Sequence, residues 1–365
     1  MTARAGEGFQ PADSGRPQPT GTEALDFDPG SLKTYLVGTG LAGERAAASL
    51  KIAKIAGGQS NPTYRVAAGE KVFILRKPPR GNNLPGAHQV DREYRVMAAL
   101  AGSGVPVPEM IRLEEDETFL GTSFYLMEWL DGVVEHDSRL PERSPADRGA
   151  IYADKAKVLA SLHGADWRAA GLEGFGKEGN FFSRQIYRWT KQWEASKTRE
   201  DPVIDELARW LKENNAEDDT LSIVHGDYRI GNLMLDRQAP RIIGVLDWEL
   251  STLGHPLADL AHAVSVWFVK PEEYGGLFGC DLEALGIPGH RAFEAAYLEA
   301  AGAPRGLSAF HYAFALFRFA VIFEGIASRA KAGTAASENA ETVGALAPIL
   351  ARRAADILAG ELPID

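Results

Sequence analysis

The hydrophobic period of this chain changes once, near residue 130, and that change constrains the fold more than any other feature. Before it, strand-like runs at residues 52–56, 63–66, 72–76, 110–113 and 123–129 accompany helical periods that begin at Asp28-Pro29 and span about 87–101. After it, apolar residues recur every three to four positions through 184–196, 203–213, 291–301 and most of 308–359. Tyr152, Ala156, Leu159 and His163 share one helical face in the same part. The first part predicts a small antiparallel sheet with a helix, and the second predicts a larger, mainly helical body. One strand-like insertion, at 221–224, 233–236 and 242–246, interrupts the helices and brackets a polar stretch. With 365 residues, 45% of them hydrophobic, the chain is long enough for two domains and a substantial core.

Charge and cysteine usage narrow the function classes. A formal net charge of -11 with no broad basic run disfavours nonspecific nucleic-acid binding, which needs clustered Lys and Arg to displace counterions. Cys280 is the single cysteine, so no intramolecular disulfide forms, and a reducing compartment, the cytosol, is the expected location. The N-terminus lacks the basic, apolar and small-residue order of a signal peptide. The most apolar stretch, 312–323, is short and contains Arg318, so no membrane span is expected. Residues 1–22, rich in Gly, Pro, Ser and Thr, are expected to be a disordered tail.

The polar stretch carries the chemistry. His225-Gly226-Asp227 is followed five residues after the Asp by Asn232, and Asp247-Trp248-Glu249 ends the next apolar run. Phosphoryl transfer needs a carboxylate to orient or accept the proton of the attacking hydroxyl, and oxygen ligands for the magnesium that neutralises phosphate charge. Asp227 suits the first task, and Asn232 and Asp247 suit the second. In the first part of the chain, Glu93 shares a helix face with Val96, Met97 and Leu100, where a carboxylate needs a partner. Alternation places Arg76 with Val72 and Ile74, opposite Lys77, so one of the two cations faces a nucleotide cleft. The Gly57–Asn61 turn lies between strands and can offer backbone N–H groups and the Ser60 hydroxyl to phosphates, with Asn61 beside it, or serve only as a hairpin.

These residues resemble the aminoglycoside phosphotransferase and choline kinase superfamily, whose members usually carry His-Gly-Asp in the catalytic loop. The segments 225–233 and 246–260 most resemble the kinase-like domain fused to some acyl-CoA dehydrogenases, although no dehydrogenase domain is expected here. The resemblance covers nearly the whole chain after the tail and implies an α+β, two-lobed protein-kinase-like fold. Residues 23–128 would form the nucleotide-binding lobe, a small antiparallel sheet with one helix, and 129–365 the larger, mainly helical catalytic and acceptor-binding lobe. It implies ATP and Mg2+ as cofactors, Asp227 as base, Asn232 and Asp247 as metal ligands, and Asp259 as support for the catalytic loop. Arg76 would replace the usual strand lysine, paired with Glu93 on the ATP phosphates. The backbone of the linking segment, Glu128 to Leu130, would pair with adenine. His255 stands where relatives often have Asp.

Helix periodicity puts Arg184, Arg188 and Lys191 in one basic stripe, which reads equally as a solvated face or as a grip for an anionic acceptor. Arg329 is a further acceptor-pocket candidate, or else the partner of Glu324 in a buried ion pair. His163 reads as a hydrogen-bonded core residue, and the run 217–219 as a solvated acidic loop. The function expected is transfer of the ATP γ-phosphoryl group to a hydroxyl of a small molecule, a hydroxyacyl-CoA or hydroxy acid. The alternatives are an aminoglycoside phosphotransferase and a catalytically inactive nucleotide-binding scaffold.

Overall fold

In the computed structural model, which describes residues 25–55, 61–81, 89–216, 218–334 and 339–364, Asp28 opens the first helix. Its carboxylate accepts from Ser31 N at 2.8 Å and Pro29 takes the first helical position, giving α1, Pro29–Gly38. A short α2, Glu44–Ala48, follows; five residues are too few to show a period, and the sequence pattern did not indicate it. Strands β1 (Lys51–Lys54), β2 (Thr63–Ala68), β3 (Lys71–Arg76), β4 (Met110–Glu114) and β5 (Phe124–Glu128) form one antiparallel sheet in the order β1-β2-β3-β5-β4. Helix α3, Val90–Ala99, lies between β3 and β4 in the chain and packs on β4 and β5.

Alternation divides the two faces of this sheet. Tyr64, Val66, Phe73, Leu75, Phe124 and Leu126 bury against α1 and α2 in a core of their own. Lys77, one residue past β3, is fully buried, with Nζ 2.7 Å from Asp26 Oδ2 and 2.8 Å from the Pro78 carbonyl. Arg76 points the other way, toward α3, between its strand neighbours Thr63 and Tyr125.

The larger part begins with β6 (Gly132–Val134), α4 (Pro145–Gly164), α5 (Phe181–Ser196) and α6 (Pro202–Glu213). Next come β7 (Ser222–Val224), β8 (Leu233–Asp236), β9 (Ile242–Val245) and β10 (Thr252–Gly254). The chain continues through α7 (Pro256–Val264), α8 (Pro271–Tyr274), α9 (Leu282–Leu285) and α10 (His290–Ala301), and closes with α11 (Ala309–Lys331), α12 (Ala340–Gly344) and α13 (Ala347–Ala359). Three of these helices start on a capping side chain followed by Pro: Ser144 on α4, Asp201 on α6 and His255 on α7. Two small antiparallel ribbons, β6-β8-β9 and β7-β10, carry the polar stretch. β6 and β10 have three residues each, too short for alternation to announce them.

The two-part α+β architecture is the one the change of hydrophobic period predicts. Helix α11 runs through the larger core, packed by α5, α6, α7, α12 and α13. It is long and apolar enough to cross a membrane by length and composition, but 72% of its most apolar window is buried inside the protein. The expected tail and residues 57–60, including Ser60, lie outside the described residues.

Candidate active site

Two strand ends bring the motif together. His225 follows β7 and its Nε2 lies 2.9 Å from the Leu246 carbonyl at the end of β9, while its ring stands 4.8 Å from that of Trp248. Leu246 N also donates to the Asn232 carbonyl at 2.9 Å. The loop that holds Asp227 and the turn that holds Asp247 are therefore tied at the backbone. Gly226 makes the turn at φ +84°, where a Cβ would stand 2.7 Å from the Leu250 carbonyl oxygen, so only glycine fits.

Asp259, in the first turn of α7, supports this loop from below. Its carboxylate accepts from His225 N at 2.6 Å and Gly226 N at 2.9 Å, and lies 3.3 Å from His163 Nε2. Burial acts to raise its pKa, but the His163 hydrogen bond and the loop amide of His225 outweigh it and hold the group at about 2. His163 is a hydrogen-bonded core residue, with Nδ1 2.7 Å from the Tyr297 hydroxyl. His255 caps α7 through Leu257 N at 3.2 Å, and its Nε2 lies 3.0 Å from Asp218. Asp218 is thus engaged rather than simply solvated.

The Asp227 carboxylate has a neighbour on each oxygen. His262 Nε2 lies 2.9 Å from Oδ1, Asn232 Nδ2 donates to Oδ2 at 2.7 Å, and Arg229 Nε is 3.4 Å from Oδ2. Burial pushes its pKa up, but His262 and Arg229 prevail and hold it well below the usual carboxylate range. Asn232 Nδ2 also donates to the Asp227 carbonyl at 2.9 Å. With the amide nitrogen committed to Asp227, the Asn232 carbonyl oxygen is the atom that can serve a cation.

Asp247 stands at φ +64°, a left-handed conformation uncommon for a residue with a side chain. Its Oδ1 is 3.0 Å from Arg76 Nη2, and Arg76 Nε is 2.9 Å from Glu93 Oε2. Glu93 accepts from the Tyr125 hydroxyl at 3.0 Å and from Asn61 Nδ2 at 2.8 Å. Burial raises the Glu93 pKa and the Arg76 cation opposes the rise. One chain of contacts therefore runs from the sheet, through Arg76, to the end of β9. Asn61 is fully buried with its amide on Glu93, so it supports this pair instead of facing phosphates directly. Magnesium is commonly held by one or two protein groups together with substrate phosphates, and the Asn232 and Asp247 oxygens fit that pattern.

Other predicted residues are less central. Glu128 pairs with Phe73 across the sheet, and its side chain accepts from Glu109 N at 3.1 Å. Leu130 lies beside Gly244, where an added Cβ would meet its Cδ1 at 2.7 Å. Arg184 turns back to the carbonyls of Lys177 and Glu178, at 2.7 and 3.4 Å. Arg188 and Lys191 are exposed, over the rings of Trp189 and Tyr187. The Glu324 pairing expected for Arg329 is corrected: Glu324 binds Arg199 Nε at 3.1 Å and Thr198 N at 2.6 Å. Arg329 is exposed, eleven residues along α11 from Arg318, roughly 16 Å at helical rise.

Arg318 is a site residue that the sequence reading passed over. Its Nη2 donates to the Gly226 carbonyl at 2.6 Å and its guanidinium lies 5.5 Å from the Trp189 ring. The available signal was a lone arginine amid the most apolar residues of the chain. His262 was also missed, yet it lies one turn after Asp259 on α7, so the helix face that meets the loop carries both. Beside Asp227, a cavity is lined by His136, Lys155, Arg229, His262, Tyr274 and Phe319 among others, with no carboxylate among the described lining residues.

The model of the phosphotransferase enzyme family matches residues 51–310. Mouse acyl-CoA dehydrogenase family member 10 is 38% identical over 335 residues, 91% of this chain and 31% of the relative. Human acyl-CoA dehydrogenase family member 11 is 38% identical over 319 residues, 86% of this chain and 41% of the relative. The chain thus spans about a third to two fifths of these relatives' length. A solved structure from Ralstonia eutropha JMP134, described as a candidate aminoglycoside phosphotransferase, is 40% identical, with TM-score 0.82 over 91% of this chain and 98% of the other. Aminoglycoside phosphotransferase APH(4)-Ia, solved with AMP-PNP and hygromycin B, shares the fold at 18% identity, with TM-score 0.59 over 90% of this chain and 99% of the other.

Proposed function

The chain belongs to the phosphotransferase enzyme family, a family of small-molecule kinases, and from that membership we propose that it transfers the γ-phosphoryl group of ATP, with Mg2+, to a hydroxyl of an anionic small molecule. The observation that carries this reading is the joined set Asp227, Asn232, Asp247, Arg76 and Glu93, held together across the sheet and the two ribbons. Bound MgATP would supply the phosphoryl group, and the metal would neutralise its charge. Asn232 and Asp247 would hold the metal, and Arg76, fixed by Glu93, would meet the phosphates. The backbone from Glu128 to Leu130 would receive the adenine. Asp227 would orient the acceptor hydroxyl and take its proton.

Two features support an anionic acceptor such as a hydroxy acid or a hydroxyacyl-CoA. The cavity beside Asp227 carries the Arg229 guanidinium and, among the described residues, no carboxylate in its lining, which suits an anion and opposes a polycationic aminoglycoside, although burial lowers the pKa of both His136 and Lys155 there and weakens their charge. The relatives are acyl-CoA dehydrogenases by name, which points to acyl-CoA chemistry. Of the basic stripe, Arg188 lies over the Trp189 ring that Arg318, the residue holding the Gly226 carbonyl, also faces.

The test is turnover of MgATP with a panel of hydroxy acids, hydroxyacyl-CoA thioesters and aminoglycosides, with phosphorylated products read by mass spectrometry. Products from the anionic members, lost when magnesium is chelated, are expected. Equal or better transfer to an aminoglycoside would refute the acceptor class, and ATP binding without turnover on any acceptor would favour the scaffold.

A further inference from the structure

We infer that His262 is a positioning residue for phosphoryl transfer, its ring holding the Asp227 carboxylate in the orientation that receives the acceptor hydroxyl. The inference rests on Asp227 being the base. His262 Nε2 lies 2.9 Å from Asp227 Oδ1, and Asn232 Nδ2 lies 2.7 Å from Oδ2. A carboxylate only accepts, so Nε2 must carry the proton. Nδ1 is buried with no hydrogen-bond partner among the described residues, which suits the neutral tautomer.

The ring itself is fixed. It stacks on Phe319 at 4.9 Å and 17°, and its side chain is 3% exposed. Burial lowers the His262 pKa, opposed by its hydrogen bond to Asp227 and aided by the neighbouring Arg318 charge. Arg318 and Phe319 are consecutive on α11: the first fixes the Gly226 carbonyl and the second the His262 ring. Asp259 and His262 lie one turn apart on α7: the first holds the loop amides and the second the carboxylate. The base is thus clamped from two helices. His262 exchanges no proton in this role. The acceptor oxygen bonds to the γ-phosphorus as the bridging P–O bond to ADP breaks, and the hydroxyl proton goes to Asp227.

The test compares wild type, His262→Leu and His262→Gln in MgATP hydrolysis, with water as the acceptor, and in transfer to the hydroxy acid panel. Gln carries an amide N–H at nearly the reach of Nε2 but has no ring for Phe319. His262→Leu is expected to lower kcat by roughly 30-fold or more with the ATP KM within about 2-fold, as for a misplaced catalytic group. His262→Gln is expected to recover to within about 5-fold of wild type. An unchanged kcat in the Leu variant would overturn the inference, as would equal impairment of both variants, which would mark a packing role. A wild type inactive with water and with every hydroxy acid would instead overturn the reading of Asp227, and this inference with it.

Discussion

Replacing Arg76 by Met should unbalance a carboxylate that has nowhere to go. Glu93 is 2% exposed at its side chain and 2.9 Å from the guanidinium, a separation worth about 6 kcal/mol of attraction at an effective dielectric of about 20. Most of that offsets the desolvation of both ions, so it does not measure the loss. The limit comes from protonation. Without Arg76, Glu93 can stay ionised at full cost or take a proton, and from a reference of 4.5 the proton costs about 3 kcal/mol at pH 7 and about 1.4 less for each unit of lower pH. The sign follows from the direction of the shift. The folded-state pKa lies above the unfolded value, so the folded state binds more protons in that window, and stability falls as pH rises from about 4.5 through the folded pKa. Removing the cation lifts the folded pKa further and extends the decline toward neutral pH. Urea unfolding of Arg76→Met at several pH values should show a loss of about 3 kcal/mol at pH 7 that shrinks toward pH 5, and adding Glu93→Gln should recover stability and flatten the slope. A loss under about 1 kcal/mol at pH 7, or a double variant no better than the single, would refute the reasoning.

Gly226→Ala places a Cβ 2.7 Å from the Leu250 carbonyl at φ +84°, and strain of about 1–3 kcal/mol should displace Asp227. Turnover should fall by about 100-fold with ATP affinity, read by calorimetry, within a few-fold of wild type. Asp259→Asn should lower stability at pH 7 by about 2 kcal/mol, from a carboxyl depressed from 3.8 to about 2. Because that stability is present above 3.8 and lost as pH falls through about 2, the variant's acid-unfolding curve should lack the drop across that window.

Much of the fold was legible because long periodic segments leave a clear signature. Helices α3, α5, α6, α10 and α11 and the five sheet strands all match apolar periods in the sequence. The short α2, β6 and β10 carry no apolar run or period that marks them. At the site, the spacing of Asp227, Asn232 and Asp247 was readable because a loop and a strand end carry them close in sequence. Arg318 reaches Gly226 across 92 positions and His262 reaches Asp227 across 35, contacts that only tertiary packing creates. Alternation put Arg76 and Lys77 on opposite faces, but which face met the cleft depended on where α1 and α2 dock. The basic stripe was correctly periodic and still poorly informative, since period cannot show that Arg184 folds back on its own loop.

The most direct test of the account is phosphoryl transfer by Asp227→Asn, followed with γ-labelled ATP, magnesium and an acceptor identified from the anionic panel. The change removes the proton acceptor while keeping the side chain's size. The account predicts a fall in kcat of about 1,000-fold with the ATP KM within a few-fold of wild type. Label reaching the acceptor at the wild-type rate would contradict it.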